Sequence, residues 1–222
     1  MKEAVKLKVK GILFDLDGTI VDSREAYREA LKTAFAAFGY KNVRKEIVTE
    51  IPKRLEQNLP LNNVLCGVDV QKFLEIYLKT YYNTTIEKSK PLPNVSEALE
   101  KLSKKAKLAI ITMRHVPKGK VIQELEKIGL AKYFQFVITA LDTNQPKPSP
   151  EALVKCSEAM GVQTCHCAFV GDSVTDIRAG KAAGTKTVAV LSGIFSLEEL
   201  KRENPDLILE SVSMLPDLLN RP

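Results

Sequence analysis

The chain has 222 residues, 45% of them hydrophobic and 27% charged, with 11 Gly and 11 Pro; this excludes a disordered chain and leaves room for one core plus a small satellite domain. The net charge of +6 points to anionic partners such as small phosphate esters, but Lys and Arg lie mixed with Glu along helical stretches, as on a solvated surface, which excludes the basic stripe of a nucleic-acid binder. Four Cys are too few for a disulfide scaffold, and no apolar run has signal-peptide or transmembrane length, so a reducing cytoplasmic setting with no membrane partner is expected.

The first strand is expected over residues 9–15, where Ile12, Leu13 and Phe14 form the continuous apolar run of a strand covered on both faces. A loop, LDGTIVDS, follows, with Asp22 or Ser23 available to cap the next helix. That helix carries Ala26, Ala30, Leu31, Ala34, Phe35 and Phe38 at helical spacing and stops at Gly39, where a left-handed residue ends a helix. From Tyr40 to about Lys90 the material is helix-like without a convincing core strand, divided by Pro52 and Pro60 and closed by Pro91 and Pro93. Residues 22–88 are therefore read as a helical insert, and 1–21 with 89–222 as the main domain.

After the prolines, helices and apolar strands alternate: VSEALEKLSKK then KLAIITM, KGKVIQELEKI then FQFVITA, PEALVKCSEAM then CAFVGD, VTDIRAGKAA then KTVAVL, and a final helix, the short strand DLILE and a last helix. Gly129, Gly161 and Gly184 end three of the helices. This alternation predicts an α/β fold, a Rossmann-like parallel sheet with helices on both faces. Such sheets bind ligands at the carboxyl ends of their strands.

The expected strand ends carry a consistent set of polar residues: Asp15 and Asp17 after the first, Thr112 after LAII, Lys147 in the loop QPKPSP, and Gly171-Asp172-Ser173 with Asp176 one helical turn on. Gathered at one crevice, Asp15, Asp172 and Asp176 repel unless a cation joins them, and oxygen-only ligands suit Mg²⁺. The Asp15 carboxylate is placed to attack phosphorus and form an aspartyl-phosphate. Lys147 and the Thr112 hydroxyl would hold the phosphoryl oxygens. Asp17 lies two residues beyond Asp15, about 6.6 Å away on extended chain at about 3.3 Å per residue, far enough to protonate a leaving oxygen and later activate water. Gly18 lets the chain turn away beside the ligand.

The run Phe14-Asp15-Leu16-Asp17-Gly18-Thr19 resembles the first motif of the haloacid dehalogenase-like (HAD) phosphatase superfamily. Thr112 resembles its second motif, Lys147 in KPSP its third, and Gly171-Asp172-Ser173 with Asp176 its fourth. The motifs span nearly the whole chain outside the insert, in the family's order. The resemblance implies that Asp15 is nucleophile and Mg²⁺ ligand, that Asp17 is general acid/base with its backbone carbonyl on the metal, and that Asp172 is a metal ligand. Asp176 would be a direct or indirect ligand, Thr112 and Lys147 would bind phosphate, and the insert would be a cap that selects substrate. An acidic residue at Asp17 points to phosphate transfer rather than dehalogenation. DLDGTIVDS and the cap length are most similar to the phosphoglycolate phosphatase-like subgroup, whose members hydrolyse many small esters.

Two departures stand out. The second motif reads Thr112-Met113-Arg114, where the family commonly has Asn after the Thr. The Met113 backbone N–H would still reach phosphate, and Arg114 would compensate by pairing with phosphate or with a substrate carboxylate. Asn94 stands where the cap-entry turn often has Gly, and Asn tolerates the left-handed region.

Other readings of the same residues remain open. Ser173 and Asp176 also fit a capping box, Asp142 fits a turn and His115 a loop. Cys165-His166-Cys167 has poor strand geometry for one zinc ion and reads as buried thiols. Phe73, Tyr77, Tyr81 and Tyr82 read as core of the insert. The sequence therefore predicts a Mg²⁺-dependent phosphatase of a small phosphate monoester, active as a monomer or homodimer. A phosphomutase, disfavoured by the lack of a His after the first motif, and a non-catalytic phosphate-binding regulator are the rivals.

Overall fold

The computed structural model describes residues 7–219. In chain order the elements are β1 (Gly11–Phe14), β2 (Val21–Asp22), α1 (Arg24–Ala36), α2 (Lys45–Glu56), α3 (Val70–Lys88), β3 (Lys90–Pro91), α4 (Val95–Ser103), β4 (Lys107–Ile111), α5 (Lys118–Lys127), β5 (Phe136–Ile138), α6 (Glu151–Ala159), β6 (Cys167–Gly171), α7 (Val174–Ala183), β7 (Lys186–Val190), α8 (Leu197–Arg202), β8 (Leu207–Leu209) and α9 (Leu215–Leu218). The chain divides into two compact units, one of residues 1–21 with 91–222 and one of residues 22–90.

The larger unit is built on a sheet, six-stranded among the described residues, in the order β5-β4-β1-β6-β7-β8. Every pairing in it is parallel. β1 lies inside the sheet and its GILF run is wholly buried, as expected of a strand covered on both faces. The period of two sorts its side chains. Ile12 and Phe14 join Leu108, Ile110, Ala168, Val170, Val188 and Val190 in a core under α4, α5 and α9. Leu13 faces the other way, with Ala109, Ile111 and Phe169, under α6. Each of the Ile, Leu, Val and Phe side chains among these contributes about 1.5–3 kcal/mol on burial, so the strand order is held from both sides. The connection from β1 leads to β4 on one flank, and β6 returns to the other. β1 is therefore the point where the sheet's order reverses, which in parallel α/β sheets lies beside the ligand crevice.

The unit of residues 22–90 is helical. α1 turns Ala26, Ala30, Leu31, Ala34 and Phe35 inward, where they meet Phe73, Tyr77 and Tyr81 of α3 and Ile47 and Ile51 of α2. The Ala positions let the two long helices approach closely, and the rings stack: Tyr77 lies between Phe73 and Tyr81 at 6.2 Å centroid distance from each, and Tyr27 covers Tyr81 at 5.1 Å. The four aromatics of α3 thus sit in or against the core of this unit.

The structure departs from the sequence reading in several places. Pro52 does not divide the segment; it lies inside α2. An internal proline costs about 3 kcal/mol, and complete burial of Ile51 with near-complete burial of Ile47, each contributing about 1.5–3 kcal/mol, is enough to hold the helix through it. β2 and β3, two residues each, pair where the chain crosses between the units. Residues 164–166 form a 3-10 turn before β6, so Cys165 and His166 are exposed while Cys167 is buried. Asn94, in agreement with the sequence reading, has φ of +60° at the start of α4, the left-handed geometry that Asn accommodates. No helix among the described residues is long and apolar enough to cross a membrane.

Burial raises the Cys156 thiol to a pKa of about 12 and the Cys167 thiol to about 11, and these side chains pack beneath the sheet. Cys66 and Cys165 are exposed. Because the thiolate is the reactive form, an aromatic disulfide reagent near pH 8 is expected to modify two thiols of the native protein quickly and the other two only after denaturation. Four fast thiols would contradict this packing.

Candidate functional site

Phe14 of β1 is in register with Val170 of β6, and the Asp15 N–H donates to the Val170 carbonyl at 2.9 Å. Asp15 and Asp172 therefore leave two neighbouring strands at nearly the same level. α7 begins immediately after, which brings in Asp176. Among the described residues, oxygens of Asp15, Asp172 and Asp176 lie within 4.8 Å of one another, and all three residues are buried. Lys147 arrives from the loop before α6. Its Nζ, with the side chain only 1% exposed, stands 2.7 Å from Asp15 Oδ1 and 2.6 Å from Asp176 Oδ1. The ring of Phe169 lies beneath that ammonium at 5.7 Å.

The capping and clustering readings of Asp176 are compatible. Ser173 Oγ accepts from the Asp176 N–H at 3.1 Å, and Asp176 Oδ2 accepts from the Ser173 N–H at 3.0 Å, a capping box at the start of α7. The other oxygen, Oδ1, receives Lys147. One carboxylate thus starts the helix and faces the cluster.

A loop that the sequence reading missed packs against Asp172 and Gly18. After β7 the chain turns through Ser192, Gly193 and Ile194. The Ile194 N–H donates to Asp172 Oδ2 at 3.2 Å, and Ser192 Oγ donates to the Gly18 carbonyl at 2.7 Å. A Cβ on Gly193 would stand 1.6 Å from Asp172 Oδ2, so only Gly lets this loop pass. Gly18, at φ of +79°, closes against the same carboxylate; its Cβ would lie 2.8 Å from Asp172 Oδ2. The turn composition Leu191-Ser192-Gly193 after a predicted strand was the available signal.

The second group of charges lies on the loops after β1 and β4. Arg114 Nε donates to Asp17 Oδ2 at 2.8 Å and Nη2 to Asp17 Oδ1 at 2.7 Å, a two-pronged pair. The same guanidinium also donates to both oxygens of Glu124. Arg114 is 4% exposed and Glu124 2%. Arg114, expected on a phosphate or substrate carboxylate, thus faces two carboxylates of its own chain. Glu124 went unremarked in the sequence, yet it sits three residues after Val121 and four before Ile128, an acid in the apolar stripe of α5.

Thr112 is buried, and its Oγ accepts from the Arg114 N–H at 3.2 Å. Met113 is half-buried and His115 exposed. Asp142 caps its own turn, accepting from the Thr139 N–H at 2.9 Å. Among the described residues, the metal-compatible grouping is the Asp15, Asp172 and Asp176 set, and the Cys165–Cys167 stretch forms none.

The donor chemistry fits a hard divalent cation. Three clustered carboxylates facing one ammonium leave two negative charges to be offset, and every donor is oxygen. The carboxylates that would hold the ion are those of Asp15, Asp172 and Asp176.

Comparison with known proteins gives one consistent family. The sequence profile of the haloacid dehalogenase-like hydrolases matches residues 12–190. A phosphoglycolate phosphatase of Aquifex aeolicus is 32% identical over 210 residues, covering 94% of this chain and 96% of that one. A Clostridium perfringens protein named "Putative pyrophosphatase PpaX" is 29% identical over 218 residues, covering 96% and 98%. A haloacid dehalogenase-like family hydrolase of Streptococcus pneumoniae shares the fold, with a TM-score of 0.79 at 19% identity over 94% of this chain and 97% of its own.

Replacing Gly193 by Ala forces a Cβ into the Asp172 carboxylate. Titration calorimetry is expected to show divalent-cation affinity about 10- to 100-fold weaker than in the wild type, the range for lost support of a metal ligand; unchanged affinity would show that this loop does not position Asp172.

Proposed function

The chain belongs to the haloacid dehalogenase-like hydrolase family, and from that premise we propose that it is a magnesium-dependent phosphatase of a small phosphate monoester, working through an aspartyl-phosphate on Asp15. The observation that carries this reading is the buried convergence of Asp15, Asp172 and Asp176 beside Lys147. The relatives named phosphoglycolate phosphatase support a small, compact ester, and the relative named as a pyrophosphatase keeps pyrophosphate in the same substrate set. Four unpaired cysteines support a reducing, cytoplasmic setting.

In the first step an Asp15 oxygen attacks phosphorus, the bond from phosphorus to the ester oxygen breaks, and Asp17 gives its proton to the departing alcohol. In the second, water attacks the same phosphorus, Asp17 takes the water's proton, and inorganic phosphate leaves Asp15 regenerated. Lys147 keeps Asp15 oriented and offsets charge on the phosphoryl oxygens, which the Thr112 hydroxyl and Met113 N–H also bind. Asp15, Asp172 and the Asp17 carbonyl, with Asp176 as a direct or indirect ligand, would hold magnesium, which would supply positive charge against the carboxylates and the phosphate. The unit of residues 22–90 serves as the cap that selects the ester.

Replacing Asp15 by Asn is expected to lower turnover of p-nitrophenyl phosphate in Mg²⁺ by about 10⁴-fold or more, as when a covalent nucleophile is removed, and chelation of the wild type is expected to abolish it. Retained turnover in the variant would remove Asp15 from the mechanism. Phosphate release from a panel holding phosphoglycolate, sugar phosphates, nucleotides and pyrophosphate identifies the substrate class.

A further inference from the structure

We propose that Arg114, held by Glu124, is the positioning residue for Asp17, the acid/base of the reaction just assigned, and this inference rests on that assignment. The geometry is specific. Both Asp17 oxygens accept from Arg114, at 2.8 Å from Nε and 2.7 Å from Nη2, so the carboxylate plane is fixed rather than merely attracted. A lysine ammonium would supply a point charge without that fork. The guanidinium is itself fixed from behind by both oxygens of Glu124, and Glu124 stands on the buried face of α5 beside Val121 and Leu125. The Asp17 backbone is constrained independently, by its bridge to Val21 and by the Gly18 N–H donating to the Val21 carbonyl at 2.8 Å. Side chain and main chain of Asp17 are thus anchored from β4's exit loop and from its own turn.

Burial decides between a structural and a positioning role. A buried carboxylate–guanidinium–carboxylate arrangement seldom adds net stability over an apolar replacement of the same volume. Asp17, in contrast, is the member that remains partly open, its side chain 13% exposed against 4% for Arg114 and 2% for Glu124. The arrangement therefore anchors inward and presents one carboxylate outward. It also accounts for Arg114 in the second motif: the side chain turns to the first motif's second aspartate.

The test uses the dependence on leaving group. Dinitrophenyl phosphate departs without a proton, whereas phenyl phosphate needs one, so kcat/KM for phenyl phosphate alone reports the acid. Removing only Arg114 would strand buried Glu124, so the variant is Arg114→Met with Glu124→Gln, checked for a wild-type circular dichroism spectrum, with Arg114→Lys as a second, charge-conserving variant. In saturating Mg²⁺ the double variant is expected to lose about 10²-fold or more in kcat/KM for phenyl phosphate, the lower range for a positioned acid, and little for dinitrophenyl phosphate. Arg114→Lys is expected to show the same selectivity at smaller amplitude. Equal losses on both esters, or a gain on phenyl phosphate, would overturn the positioning role. A wild type that releases phosphate from neither ester would overturn the phosphatase reading and this inference with it.

Discussion

Three carboxylates brought within 4.8 Å of one another in a buried crevice repel strongly, and the molecule is arranged around that repulsion. Two of them are placed by the sheet, because β1 and β6 are adjacent and parallel and their apolar runs end at the same level. The third is placed by the first turn of α7, which it also caps. One ammonium, that of Lys147, meets two of the three. The remaining negative charge suits the crevice to a divalent cation, and in the proposed reaction such a cation would offset the charge between an anionic ester and the Asp15 carboxylate. The glycines around the cluster follow from the same constraint, since Gly171 and Gly193 would otherwise drive a Cβ into Asp176 and Asp172 respectively.

A second charged group repeats the arrangement in a different proportion. Asp17 and Glu124 flank one guanidinium, with bonds to both oxygens of each carboxylate. Buried ion pairs of this kind contribute little to net stability; their effect is to define where a charged group sits. Both groups draw on loops at the carboxyl ends of β1 and its immediate neighbours, where the sheet order reverses, so a small displacement of β1 would disturb both at once. Its complete burial on two faces opposes that displacement.

The strands of the sheet were legible in the sequence because each is a short apolar run bounded by polar residues, and the helices between them because their apolar positions recur at helical spacing and end at glycine. Asp15 and Asp172 were legible for a related reason: once strands are placed, the residues just past their ends are placed too, with Asp176 one helical turn on; Lys147 lies well beyond the end of β5 and was legible from the resemblance of its KPSP loop to the family motif. Other features were not. α2 was hidden by Pro52, whose local cost is outweighed by burial of Ile51, a tertiary effect that no local pattern records. The partners of Arg114 depend on the side chain's direction from a loop, which sequence spacing does not specify, so a phosphate was expected where two carboxylates stand. Glu124 left a trace, as a charge within an apolar stripe, but its meaning required the opposing arginine. Ser192 and Gly193 left a turn signal after a predicted strand, but their close approach to Gly18 and Asp172 has no meaning until the strands carrying those loops are known to be neighbours.

The most direct measurement of the central claim is thermal unfolding with and without Mg²⁺, for the wild type and for Asp172→Asn. A ligand bound only to the folded state at about 100 times its dissociation constant stabilises by about 2.7 kcal/mol. The wild type is therefore predicted to show a saturable rise in Tm with Mg²⁺, and the variant, with one carboxylate of the cluster neutralised, little or none. Equal rises in the two proteins, or no rise in the wild type at any concentration, would contradict the account.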